Sequence, residues 1–391
     1  ELMARKSWVS LVRSMMVGPW SSAETKPAQR FLDVRARDVD RLTSDAARVF
    51  FGVDISCARC HDHPLVSDWK QDHYYGMVSF FHRTTGGKGQ VGEKLEGDVA
   101  FRTAAGESRT AQVMFLSGTV APASLPNGKV SRRQQLVEAA LNDDQYFRRS
   151  IVNRIWHQIL GRGLVTPVDQ MHSGNESRIP ELLEWLGDDF AASQYDLRRL
   201  IQGIVLSRAY QLSSQHPGAD REKMAEHDAA AALRPLSRRQ FAVSLLVATD
   251  QATFRPADPI AARAEKLAGS PGFNRLQQAL AAEEKARAFE GKLDPGSDGQ
   301  SSTAEALFVS NSEEIHRLFE ATEGSLADRL ARLPEAASIV DAAVRHVLSR
   351  PSTEWERNEL AAFLSIDPDR KAAVAKLLWS LAVDAEFRFR H

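Results

Sequence analysis

Thr43-Ser44-Asp45-Ala46-Ala47-Arg48-Val49-Phe50-Phe51-Gly52 runs on to Cys57-Ala58-Arg59-Cys60-His61-Asp62-His63-Pro64, and this stretch decides how the chain is read. Thr43-Ser44-Asp45 offers a helix cap, and Ala46, Val49 and Phe50 supply the apolar side of the helix it would start. That helix leads into C-x-x-C-H, the attachment signature of a c-type haem. Two thiols three residues apart on a helical turn reach the two vinyl groups of one porphyrin and form thioethers. The next residue, His61, then lies under the ring, where its imidazole binds the iron. The other ring nitrogen needs an acceptor to fix the tautomer, which Asp62 or a backbone carbonyl can supply. Three readings compete. The thiols could form a redox couple, although that expects a βαβ setting and the flanks here look helical. Cys57, Cys60, His63 and a fourth residue could hold a structural zinc, although there is no second C-x-x-C. Or the two thiols could simply pack in a core.

Outward from this stretch, the chain reads as ordinary globular protein. Its 391 residues are 43% hydrophobic and 26% charged, enough for about two or three domains. Fifty Lys plus Arg against fifty-one Asp plus Glu leave a formal charge of −1, so no global basic field gathers nucleic acid. Apolar runs such as Ile201–Leu206 and Leu377–Val383 fall far short of a membrane span. Two cysteines are too few for a disulfide scaffold. The chain opens on Glu1 without a basic or apolar leader, which reads as a mature or trimmed chain.

The patterning predicts a mainly α fold of bundle-like helical modules, with a small β-hairpin insert around residues 90–122. Residues 1–85 form a helical haem-attachment module, and Trp69, Tyr74, Tyr75, Phe80 and Phe81 recur at helical spacing to wall a haem pocket or fill a core. Residues 86–130 hold the β insert, and 131–250 a second helical module whose Gly161-Arg162-Gly163 ends a helix. Residues 251–303 read as a flexible charged linker carrying a helix at Asn274–Phe289, and 304–391 as a helical C-terminal part. Arg154 or Arg208 is expected to pair with Asp169 and tie helices together.

The block around the cysteines, continuing through Trp69-Lys70-Gln71 and Tyr74-Tyr75-Gly76, resembles a large bacterial family: the paired domains of unknown function of planctomycete cytochrome-c-associated proteins. Later blocks agree in the same order. They are Val152-Asn153-Arg154-Ile155-Trp156 with Gly161-Arg162-Gly163-Leu164-Val165, then Pro180–Leu186, Ser207–Ser214, Phe308–Ser312 and Leu348-Ser349-Arg350-Pro351. The resemblance implies an exported protein, periplasmic or otherwise extracytoplasmic, on the side of the membrane where c-type haem is attached. It transfers no distal ligand. His157 directly follows Trp156, and Arg178-Ile179-Pro180-Glu181 stands where relatives often have Ser-His-Pro-Glu.

The sixth iron position separates the functional readings. His73, His82, His157, Met77 and Met114 are the candidate distal ligands, with His172 a weaker one. Asp62, His63, Trp69 and Tyr75 are candidates to support the ring and its ligand from behind. The leading expectation is one covalent haem c on Cys57 and Cys60, with His61 as iron ligand, passing electrons to a redox partner protein. The first rival is a haem oxidoreductase with an open iron site, acting on a small or carbohydrate-derived substrate. A one-haem carrier needs only about a hundred residues, so the bulk of this chain keeps that rival in view. The second rival is a non-haem metal-binding extracellular module.

Overall fold

The computed structural model of the chain describes residues 7–18, 20, 26–87, 90–122, 131–214, 224, 229–250, 307 and 309–390. It forms two compact units, Glu1–Ala232 and Leu233–His391. The first unit is mainly helical: α1 (Trp8–Met16), the short α2 (Arg30–Asp33), α3 (Val39–Phe51), α4 (Gln71–Phe81), α5 (Arg132–Asn142), α6 (Asp144–Leu160), α7 (Pro180–Ala192) and α8 (Leu197–Val205). Among the described residues the expected single hairpin is two. β1 (Thr84–Gly87) pairs antiparallel with β2 (Gln90–Glu93), and β3 (Ala100–Arg102) with β4 (Ser108–Thr110).

Local chemistry sets most of these ends. The Ser131 hydroxyl caps α5 by accepting from the Gln134 amide, and Asp196 caps α8 through the Arg198 and Arg199 amides. Gly161 closes α6 in the left-handed region at φ 90°, and Pro180 opens α7. One start differs from the sequence reading. The cap of α3 is Asp38, whose carboxylate accepts from the Arg41 amide, rather than Thr43-Ser44-Asp45. Thr43 lies inside the helix and turns its hydroxyl back to the Val39 carbonyl at 2.7 Å.

Phe50 and Phe51 are the hub of the first core. Phe50 meets Trp8 of α1 and Phe31 of α2, with ring centroids at 6.0 and 5.1 Å. Phe51 meets Phe115 of the insert edge-on at 5.1 Å and Phe147 of α6 at 6.5 Å. Burying each such ring contributes about 2–3 kcal/mol. The segments read separately as 1–85 and 131–250 therefore share one core up to Ile204.

The second unit holds α9 (Arg238–Ala248), α10 (Glu313–Phe319), α11 (Leu326–Ala331), α12 (Ala336–Leu348), α13 (Glu354–Leu364), α14 (Arg370–Val383) and α15 (Ala385–Arg388). The boundary near 232 moves α9 out of the second module where the sequence reading had placed it. Phe241, Ala242 and Leu245 of α9 are buried with Val340, Val344 and Leu377. Just before it, β5 (Arg234–Pro235) pairs antiparallel with β6 (Phe389–Arg390). The expected helix Asn274–Phe289 and the linker 251–303 lie outside the described residues. No helix among the described residues is long and apolar enough to cross a membrane.

Candidate haem-attachment site

Gly52 begins the site. It ends α3 at φ 67°, and a Cβ there would meet Ser150 Cβ at 3.0 Å and the Val168 carbonyl at 3.3 Å. Only glycine accepts both the left-handed backbone and that close approach. The chain then passes Val53, which bridges to Gln170, and reaches Asp54 just before the next turn. Asp54 accepts from the Ser56 amide at 3.0 Å and the Ser56 hydroxyl at 2.6 Å, and it pairs with Arg48 at 2.7 Å. Burial alone would raise the Asp54 carboxyl. The Ser56 bonds and the Arg48 guanidinium outweigh it and hold the group below the usual carboxylate range.

Ser56–Arg59 is a single 3₁₀ turn. Ile55 and Ala58 are fully buried and anchor it, which leaves Cys57 and Cys60 exposed, both as free thiols. The Arg59 side chain pairs with Asp40 of α3 at 3.0 Å. Its carbonyl accepts from the Tyr75 hydroxyl at 3.1 Å and from Gln71 Nε2 at 3.4 Å. Asp40 also accepts from Tyr74 at 2.7 Å, and burial together with that carboxylate pushes the Tyr74 phenol up. The turn is thus bolted to α3 and α4 from behind, with its two thiols facing outward.

His61 follows, exposed, with Nδ1 2.7 Å from the Asp62 carbonyl oxygen. A carbonyl only accepts, so Nδ1 carries the proton and Nε2 keeps its lone pair. The Asp62 carboxylate has a different task and accepts from the Gln71 amide at the start of α4. The neighbouring histidines have the opposite tautomer. His63 Nδ1 accepts from the Leu65 and Val66 amides at 3.2 and 3.0 Å. His73 Nδ1 accepts from the Lys70 amide, and His172 Nδ1 from the Gly174 amide, each at 3.2 Å. Their lone pairs are committed to backbone amides and their protons sit on Nε2. His61 alone of these four holds a ring nitrogen ready for a metal. Two exposed thiols and such an imidazole, on adjoining residues, are the donor set that a c-type haem requires.

The other expected site residues are dispersed. Trp69 is buried, its ring edge-on to His73 at 6.3 Å and 5.8 Å from Tyr146. Tyr75 is half-buried and stacked on Phe101 at 4.2 Å. Both already pack against protein. Met77 is fully buried in the core. Burial, then Lys70, holds the His73 ring below the usual imidazole range. Met114 is half-buried, bridged to Val120, with its Cβ and carbonyl against Gly76. At about 100° per residue, His73 and Gly76 fall on the other side of α4 from Gln71 and Tyr75, which touch the cysteine turn. His82 is exposed at the far end of α4, beside Gly97, and His157 is half-buried on α6 with contacts of its own. Among the described residues no three His, Cys, Asp or Glu side chains converge as a metal-holding group.

Residues beyond 130 complete the support. Ser150 donates to the Phe50 carbonyl at 2.6 Å, Arg154 to the Arg48 carbonyl at 2.8 Å, and the Met171 amide to the Gly52 carbonyl at 3.0 Å. The Ser173 amide donates to Asp68 at 2.8 Å. Asn153, wholly buried, clamps the loop after α6 through the Val165 amide and carbonyl, both at 2.9 Å. Asp169 acts electrostatically on both Arg48 and Arg154. In the sequence reading Gln71, Asn153 and Gly163 stand in blocks of family resemblance, and none of them is assigned a part in the site.

A family model described as "PSCyt2: Protein of unknown function (DUF1549)" matches residues 10–86, and one described as "PSD1: Protein of unknown function (DUF1553)" matches residues 132–364. The second match crosses the boundary between the two units, and its first part shares a core with the first match. No curated protein and no solved structure matches the chain.

Proposed function

The chain belongs to the PSD1 family, paired with a PSCyt2 domain as in planctomycete cytochrome-c-associated proteins, and from that premise we propose that it is an extracytoplasmic one-haem electron-transfer protein. Cys57 and Cys60 would hold the porphyrin as thioethers and His61 would ligate the iron through Nε2. The haem would supply one-electron exchange between ferric and ferrous iron. The chain's own part is to hold the turn rigid, to fix the His61 tautomer through the Asp62 carbonyl, and to keep the attachment point at the surface, where a redox partner reaches it. The observation that carries the reading is the His61 Nδ1 contact to that carbonyl at 2.7 Å beside two exposed free thiols.

A haem oxidoreductase with an open iron site is the second reading, and one placement favours it. Met77 lies in the core and the His73 lone pair is tied to the Lys70 amide, so neither is free to fill the sixth position. Expression in a host that matures c-type cytochromes tests both. A Soret band that survives acid–acetone extraction, and is lost in Cys57→Ala and Cys60→Ala, is the expected result. A low-spin spectrum unmoved by cyanide selects electron transfer, and a high-spin spectrum that cyanide shifts selects the open site. Colourless protein from that host sinks the haem reading.

A further inference from the structure

Gln71 uses its polar groups on three separate segments, and two of them bracket the same dipeptide. Its side-chain Oε1 accepts from the Ala104 amide at 3.0 Å, which assigns the amide's orientation, since a backbone N–H needs an acceptor. Nε2 is therefore turned to the Arg59 carbonyl at 3.4 Å. Its backbone amide donates to Asp62 Oδ1 at 3.0 Å. Residues 59 and 62 are thus both tied to one residue, with Cys60 and His61 held between them. Gln71 as a whole residue is 6% exposed, so these bonds are made away from competing water.

We propose that Gln71 is the positioning residue of the site. By clamping both ends of Cys60-His61 it sets the direction of the second thiol and holds the His61 ring against the Asp62 carbonyl. Cys57 lies outside the clamp, fixed instead by buried Ile55 and Ala58 and by the Asp54 bonds to Ser56. Tyr75 shares the Arg59 carbonyl but bonds nothing at Asp62, so it steadies one end alone. The role rests on the haem reading for its purpose, but the clamp acts on the thiol and imidazole before any haem is present.

The test therefore uses the full chain without haem, expressed reduced in a host that lacks haem ligation. Gln71→Leu removes both side-chain bonds. Gln71→Glu keeps the acceptor for the Ala104 amide and loses only the donor to Arg59. Alkylation of each thiol by iodoacetamide is followed by mass spectrometry, and the His61 ring nitrogens by ¹⁵N chemical shift. In both variants the Cys60 rate should rise about fivefold relative to Cys57, the factor expected from losing one ordinary hydrogen bond. The His61 shifts should move from a single Nδ1–H tautomer toward a mixture. An unchanged Cys60-to-Cys57 ratio with unchanged His61 shifts overturns the proposal. So does an equal rise at both thiols, which would make Gln71 a residue of general stability. Should Gln71→Leu fail to fold, Gln71→Glu decides alone. Colourless wild-type protein in the maturing host would remove the haem reading and leave this result standing.

Discussion

Replacing Gly52 with alanine tests the junction on which the site is built. Two separate penalties follow from the geometry. The left-handed backbone at φ 67° disfavours any residue with a Cβ, by about 1–2 kcal/mol. The new Cβ would also sit 3.0 Å from Ser150 Cβ, 3.1 Å from Met171 Sδ and 3.3 Å from the Val168 carbonyl. The methionine sulfur is the far end of a flexible side chain and can swing away. Ser150 cannot, because its hydroxyl is held by the Phe50 carbonyl at 2.6 Å, and Val168 contributes backbone. That crowding adds about 1 kcal/mol, the low end for overpacking a core. The total is about 2–3 kcal/mol. Gly106 supplies the control, since it is also left-handed, at φ 87°, with no atom within 4 Å of a built Cβ. Gly106→Ala should show the backbone penalty alone. Native-state hydrogen exchange at the amides of α3 and α6 reads the stability of this unit by itself. Gly52→Ala should lower the opening free energy by about 1 kcal/mol more than Gly106→Ala. Equal losses in the two variants would refute the argument that the approach of α6 and the Val168 backbone requires glycine here.

Asn153→Ala should lower the stability of the same unit by about 2–4 kcal/mol in a urea titration, because it strands the buried Val165 amide and carbonyl, while a loss below about 1 kcal/mol would show that water replaces the clamp. His73 is held below the usual imidazole range by burial and then Lys70, so the unfolded chain takes up its proton first. Stability is accordingly full above the unfolded imidazole pKa and falls as pH drops below it. The wild-type chain should lose more between pH 7.5 and 5 than His73→Gln, which keeps an acceptor for the Lys70 amide without titrating; parallel pH profiles would contradict this. In the second unit the Arg350 guanidinium grips Glu356 through two bonds at 2.8 and 2.7 Å and holds its carboxyl at about 2. This pair's contribution is present above the ordinary carboxylate range and lost as pH falls toward about 2. A carboxyl ¹³C titration of Glu356 should show the low midpoint, and Arg350→Leu should raise it toward the usual range, with the Thr353 bonds still holding it down.

Much of this architecture is written in short-range chemistry and is legible without coordinates. Ser131 and Asp196 mark helix starts through bonds that span a few residues, Gly161 a helix end through its left-handed backbone and Pro180 a start through its fixed φ, so the bounds of α5, α6, α7 and α8 follow closely. The start of α3 does not, because Asp38 and the Thr43-Ser44-Asp45 run are chemically similar caps, and only the backbone around Asp38 has the extended conformation a cap needs. His63, read from the sequence as a support for the ring or as a zinc ligand, accepts from the Leu65 and Val66 amides, which are local partners too. The placement of α9 was beyond the pattern, since it depends on which distant apolar surface is available to cover.

The sequence by itself determined the C-x-x-C-H motif, two thiols and an imidazole at fixed spacing, within a mainly helical chain of a recognisable family. Spacing is a property of the covalent chain, so no fold is needed to read it. Tertiary structure alone decided which nitrogen of each histidine keeps its lone pair, that Gln71 brackets Cys60-His61, and that Ser150, Arg154 and Ser173 brace the site from about a hundred residues away. A hydrogen bond is specified by where two groups meet in space. Across such separations the meeting is set by the packing of Phe50, Phe51 and Phe147 in the shared core, which no local pattern records.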